Sequence, residues 1–187
     1  MNELLLPAIR DRYSPMIFGD RKISETAVYL LFEAARWAPS SFNEQPWAFV
    51  YTTDDQQKGY EQFLSLLTAY NRDWASSAPL LILSLTKKRF ALNGKDNSYA
   101  LHDTGMAVGN LILQASFMGM QAHQMGGYDK AKARETLNIS EEYIPCAIIA
   151  VGYPGNPYEA AEPYRERALE ERVRNPVSDF VFKERMP

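Results

Sequence analysis

Cysteine is almost absent: Cys146 is the only one in 187 residues. A single thiol excludes an internal disulfide framework and any zinc or iron–sulfur site built on the cysteines of one chain, and a chain without disulfides suits the reducing cytoplasm. Histidine is nearly as scarce, with only His102 and His123, so no metal site is expected. Long apolar runs are missing as well. Segments such as Leu80–Leu85 and Ala147–Val151 fall far short of the roughly 18 residues a membrane helix needs, and Leu4-Leu5-Leu6 before Pro7 does not make a secretory signal. Neither sign of charge dominates. Lys and Arg total 20 against 23 for Asp and Glu, a net charge of -3 that offers no broad positive field to nucleic acid or an anionic membrane.

Several catalytic patterns are missing too. There is no G-x-G-x-x-G after a strand, no P-loop around Gly94-Lys95, no G-x-S-x-G elbow and no H-E-x-x-H. Pro145-Cys146 lacks the second cysteine of a zinc deaminase. Hydrolase and metalloenzyme classes recede.

What is present is 46% apolar residues, enough for one domain to bury a core without staples. Ser24 is an N-cap for a helix carrying Ala27, Leu30, Leu31, Ala34 and Ala38 at helical spacing, ended by Pro39. Ala48–Thr52 predicts a strand, Gln56–Tyr70 a helix, and Leu80–Leu85 a strand buried on both faces. Asn93-Gly94 marks a turn before a long helix from about Tyr99 to Met118, which Gly119 closes. Met120–Met125 is extended, Gly126-Gly127 breaks it, Lys130–Leu137 predicts a short helix and Cys146–Val151 another buried strand. From Pro154 to Pro176 the chain turns charged and Pro-bearing like a surface arm, and Phe180–Phe182 is a last β-prone segment. No repeat or second domain is visible, so residues 1–187 are expected to form one domain with 154–187 as a C-terminal arm.

Chemistry is carried by arginines and small polar residues near element ends. Arg12-Tyr13-Ser14 precedes the first long helix. In Arg172-Val173-Arg174 alternate residues of an extended chain point the same way, so two guanidiniums could grip one phosphate, although the run Arg165–Arg174 also reads as a solvated charged face. Ala38-Pro39-Ser40-Ser41-Phe42-Asn43-Glu44-Gln45-Pro46-Trp47 is more specific: one proline stops a helix, a polar loop presents hydroxyls and amides, and a second proline launches a strand.

This stretch, from Arg36 through Phe49, resembles the nitroreductase family of FMN-dependent enzymes. Arg12-Tyr13-Ser14 with Phe18 is similar to the family's N-terminal phosphate motif, and His123–Asp129 to the segment that lies against the flavin. Arg172-Val173-Arg174-Asn175-Pro176 resembles its late basic pair. The resemblance spans about residues 9–182. It implies an α/β (α+β) three-layer sandwich, in which helices flank a mixed, mainly antiparallel sheet of four strands. A fifth strand, Phe180–Phe182, would be exchanged between the subunits of a homodimer. It implies FMN as cofactor and NAD(P)H as electron donor. A small organic acceptor, a nitroaromatic, quinone or enone, would be reduced by a ping-pong mechanism with no indispensable protein acid or base.

Carried over, the resemblance makes Arg12, Ser14, Arg172 and Arg174 phosphate ligands, with Tyr13 and Met16 beside them. Pro39, Ser40, Ser41 and Asn43 would approach the cofactor of the other subunit, Asn71 the pyrimidine edge, and Gln124, Met125, Gly126 and Gly127 the ring. The Gly126 N–H is the expected donor to flavin N5. Phe42 and Tyr128 either line the substrate face or pack in the core. The sequence departs from the pattern where Met16 and Trp74 replace cations found near N1 and O2, unless Arg72 or a neighbour substitutes. That loss keeps open a flavin-binding storage or sensor module with slow turnover. Flavin breakdown and reductive dehalogenation occur in the wider fold group, but the short Arg72–Leu101 region leaves little room for the lid those relatives carry. Cys146 and His123 read as a core thiol and a satisfied histidine, and Trp37 and Trp47 as packing residues.

Overall fold

The computed structural model describes residues 4–186. Its elements are α1 (Pro7–Arg10), α2 (Glu25–Arg36), β1 (Trp47–Thr53), α3 (Gln57–Leu66), α4 (Ala69–Ala75), β2 (Leu80–Lys87), α5 (Ala100–Phe117), β3 (Gln121–Met125), α6 (Lys130–Thr136), β4 (Tyr143–Gly152) and α7 (Tyr164–Leu169). The strands form one sheet in the order β1-β2-β4-β3. Every pairing within it is antiparallel, so among the described residues the sheet is antiparallel rather than mixed.

Strands β2 and β4 lie in the middle and split their apolar side chains between two cores, as period-two alternation requires. Leu81, Leu83, Ile148 and Ala150 face α3, α4 and α6 with Phe63, Leu66 and Trp74. Leu80, Ile82, Ile149 and Val151 face α2 and α5 with Leu31, Ala107, Val108 and Leu111. Helices therefore cover both faces, the three-layer arrangement expected.

Local chemistry sets the boundaries. The Ser24 hydroxyl accepts the Ala27 N–H at 3.2 Å, so α2 starts where expected, and its last turn unwinds over Trp37 and Ala38 ahead of Pro39. Gly119, at φ 76°, closes α5. The helix expected over Gln56–Tyr70 is two helices. Leu67 leaves the helix to form an isolated bridge with Tyr128, and Thr68 caps a second helix through the Asn71 N–H. β4 begins at Tyr143 rather than Cys146. Pro145 is carried inside the strand beside a register shift, and the Ser84 hydroxyl binds the Ala147 backbone there. The Tyr60 hydroxyl, 2.6 Å from the Ala78 carbonyl, ties α3 to the loop after α4.

The arm after Pro154 contains a short turn at Pro157–Glu159 and α7, and residues 165–186 are all exposed. Phe180–Phe182 pairs with no strand among the described residues. No helix among the described residues is long and apolar enough to cross a membrane.

Leu111 is fully buried, whereas Leu92 is 91% exposed. Urea unfolding should show Leu111→Ala destabilising the protein by about 2–5 kcal/mol, with Leu92→Ala within about 0.5 kcal/mol of the parent.

Candidate flavin site

Strand β3 holds the N-terminal segment. Its buried Gln121 accepts the Tyr13 N–H at 3.0 Å through Oε1, and two residues on His123 Nδ1 lies 2.8 Å from the Pro15 carbonyl. Alternate side chains of one strand thus grip alternate backbone groups and lay Arg12–Met16 along the sheet edge. Further on, Gly19 donates to the Tyr153 carbonyl and Gly155 to that of Ile17, which fixes the segment to the end of β4. The His123 ring lies 4.5 Å from that of Trp74, and Phe18 stacks on Trp74 at 6.5 Å.

A cavity of about 510 Å³ opens above this segment, walled by Arg12, Ser14 and Met16 on one side and by Arg167, Arg172 and Arg174 of the arm on the other. Arg12 Nη1 is 3.4 Å from Ser14 Oγ. Desolvation pulls the Arg12 guanidinium below its ordinary value, and the charges of Arg174 and then Arg172 push the same way. Among the described residues no salt bridge joins Arg12, Arg172 or Arg174 to a carboxylate. Asp11, Glu170 and Glu171 also line the cavity, but none of them pairs with these three guanidiniums, which suit a bound anion such as a phosphomonoester.

The chain turns at Gly126-Gly127 where β3 ends, and α4 joins this turn to the cavity. Its Tyr70 hydroxyl is 3.7 Å from Met16 Sδ, while Asn71 Nδ2 donates to the Gly127 carbonyl at 3.0 Å, an acceptor shared with the Thr68 N–H at 3.1 Å. A Cβ on Gly127 would sit 2.7 Å from Asn71 Nδ2; one on Gly126 would meet nothing within 4 Å. The exposed Gly126 N–H has no hydrogen-bond partner among the described residues, so it is an open donor beside open space. The cavity cations suit the phosphate end of a flavin mononucleotide, and the Gly126 amide, outside the cavity lining, is a donor left free for its ring.

Pro39–Asn43 is elsewhere. It leads into β1, the edge of the sheet opposite β3, roughly 14 Å away across three strand spacings. The Ser41 N–H donates to the buried Asp103 carboxylate at 2.9 Å, Ser40 Oγ accepts the Gln45 N–H at 3.0 Å and Glu44 accepts the Ala91 N–H at 2.6 Å. These clamps hold Phe42, Asn43 and Gln45 at φ 54°, 55° and 55°, a strained loop that leaves Phe42 90% exposed against the edge of Phe90.

The family model for the nitroreductase family matches residues 9–68 and 56–153. The chain belongs to the nitroreductase family. An oxygen-insensitive NADPH nitroreductase of Helicobacter acinonychis is 29% identical over 171 residues, 72% of this chain and 77% of that protein. Among solved structures, an oxidoreductase containing FMN superposes with a TM-score of 0.91 at 30% identity, covering 98% of this chain and 93% of the other. A nitroreductase family protein of Streptococcus pneumoniae shares the fold, with a TM-score of 0.77 at 24% identity over 95% and 98% of the two chains.

Against the family expectations, the structure gathers Arg12, Tyr13, Ser14, Met16, Arg172 and Arg174 around one cavity and sets Asn71 against Gly127. Gln124 is exposed, while the Met125 side chain is buried in the core, leaving only its backbone to face a ligand. Tyr128 is 8% exposed within the core, its hydroxyl without a partner among the described residues, so it packs rather than lining the cavity. Met16 and Trp74 are buried, and Arg72 points into solvent. Trp47 packs on the core, but Trp37 is 73% exposed and its indole N–H reaches only Glu33 of its own helix. Burial raises the Cys146 thiol, as an inert group requires. Sequence reasoning missed Gln121 as the partner of Tyr13; a polar pair at i and i+2 in a short buried strand was its signal.

Two outcomes follow in the flavin-free protein. Gly127→Ala should lower stability by about 1–3 kcal/mol in thermal or urea unfolding, because its Cβ displaces Asn71, and Gly126→Ala should stay within about 0.5 kcal/mol of the parent. Burial lowers the His123 pKa below the ordinary 6.5, partly offset by the Pro15 carbonyl and reinforced by Arg167. The unfolded chain then takes up the proton first, so the His123 contribution is complete above about 6.5 and is lost as pH falls below it. An NMR titration of its ring should give a midpoint under 6.5.

Proposed function

We propose that this nitroreductase family member is an FMN-dependent oxidoreductase that takes electrons from NAD(P)H and passes them to a nitroaromatic, quinone or enone in ping-pong order. The observation that carries the proposal is a trio of guanidiniums without a carboxylate partner, joined by α4 and β3 to an unpartnered Gly126 amide. When bound, FMN supplies hydride acceptance and release at N5; the protein supplies position and charge. Arg12, Ser14 and Arg174 bind the phosphate, Arg172 borders it, and Asn71 and the Gly126 N–H orient the ring edge. Glycine at 127 lets α4 approach the turn closely. His123, neutral and tied to Pro15, positions the phosphate segment rather than moving a proton.

The functional form we propose is a homodimer. The Pro39–Asn43 loop is too far from the cavity of its own chain to line it, yet it is clamped rigidly and presents Phe42 outward, as a residue contacting a second copy's substrate would. Tyr29 of α2, Trp37 just past its end, and Leu101 and Phe117 of α5 expose a further apolar face, and Phe180–Phe182 is free to pair with an edge strand of another copy.

A second reading rests on Met16 and Trp74. Both are buried and neither carries charge, so the negative charge of reduced flavin has no cation at these two positions, which suits a flavin-binding storage or sensor module with slow turnover.

Purified protein should show a flavin absorption spectrum and oxidise NADH or NADPH over many cycles with nitrofurazone or menadione. Bound flavin reduced once, stoichiometrically, would favour the storage reading; no flavin reduction by either nucleotide would remove the oxidoreductase. Arg174→Ala should weaken FMN binding about ten- to a hundred-fold, the worth of one charge-assisted bond of about 1.5–3 kcal/mol, read by fluorescence titration.

A further inference from the structure

Arg172 differs from the other cavity cations in what it touches. Its Nη1 donates to the backbone carbonyls of Arg12, at 3.0 Å and 160 residues away in sequence, and of Arg10, at 3.2 Å. Arg10 ends α1, where helix carbonyls have no intrahelical donor, and one guanidinium NH2 group meets this acceptor and the Arg12 carbonyl just beyond the helix at once. Among described residues 165–186, Arg172 alone forms hydrogen bonds with any residue preceding the arm. Arg174 Nη1 turns instead to the carbonyl of its own neighbour Val173, and no residue of 165–186 is buried. Upstream, the arm is anchored at its root, where the Gly155 N–H donates to the Ile17 carbonyl, and at the beginning of α7, by the Tyr164 hydroxyl on Asp73.

We infer that Arg172 is a positioning residue, a latch that pins the C-terminal arm to the α1–Arg12 backbone and so holds Arg174 and Arg167 over the cavity before any ligand arrives. Within the flavin reading above, on which the role in binding rests, the phosphate is held by Arg12, Ser14 and Arg174, while Arg172 sets the distance between the first and last of these. The two carbonyl bonds satisfy Arg172 Nη1 in the chain itself, so the latch is closed in the flavin-free protein. A residue that served only as a phosphate ligand would do nothing until phosphate was bound.

Hydrogen exchange of flavin-free protein separates the two roles, with FMN affinity measured in parallel on Arg172→Ala and Arg174→Ala. A latch predicts that Arg172→Ala speeds amide exchange across residues 164–175 several-fold and that Arg174→Ala leaves it at the parent rate. Both variants should weaken FMN binding about ten-fold or more. Parent-like exchange in Arg172→Ala together with lost FMN affinity would overturn the latch and make Arg172 an ordinary phosphate ligand. Faster exchange in Arg172→Ala, in a parent protein that binds no FMN, would sustain the latch and remove the flavin reading instead.

Discussion

Strand β2 has no face open to water. Leu80 through Thr86 are all buried, and the two polar residues among them are satisfied internally, Ser84 on the Ala147 backbone and Thr86 between Thr104 and the Ala100 carbonyl. A strand buried on both sides needs helices on both sides, and with β4 next to it the apolar side chains must divide between two cores. Only the outer strands β1 and β3 have a free edge. Functional residues collect at those edges because backbone and polar groups there are not already committed to the core.

The two edges are used differently. At β3, Gln121 and His123 spend their polar atoms on the backbone of Tyr13 and Pro15, and the strand stops at a glycine pair with one amide unspent. At β1, three side-chain clamps hold three residues at positive φ, a strain of order 1–3 kcal/mol each that gains nothing for the chain's own core because Phe42 stays in water. Such strain gains nothing within the chain, which is why the loop enters the proposed dimer as a contact to a second copy.

Much of this was legible in the residues, for identifiable reasons. The Ser24 cap, the Gly119 terminator and the buried runs of β2 and β4 are local signals, and local signals decided those elements. Long-range pairing overrode the rest. Leu67 continues a helical pattern until its bridge to Tyr128 is known, and the strand expected from Cys146 starts at Tyr143, with Ser84 patching the register shift beside Pro145. In the site, motif matching placed Arg12, Ser14 and Arg174 at one cavity but could not distinguish a guanidinium that faces the cavity from one committed to carbonyls. Tyr128 was ambiguous for a related reason: an aromatic after a glycine turn suits a pocket or a core equally until its burial is known.

The arm shows how such a small protein can combine a rigid frame with an adjustable site. Its final anchored point is Arg172; beyond it Val177, Phe180, Val181 and Phe182 are exposed and make no hydrogen bond back to the body of the chain. Apolar residues in water gain by covering, roughly 25 cal/mol for each Å² buried, so this segment is driven toward a surface it does not find on its own domain. A tether upstream of a free apolar end fixes where that end can search. It also links the two events physically, because whatever seats the terminal segment on another surface pulls on the same short extended stretch that carries Arg174 to the cavity. Only the four residues Val173, Arg174, Asn175 and Pro176 separate the Arg172 tether from Val177, so the placements of the Arg174 cation and of the terminal segment are coupled with no other element required.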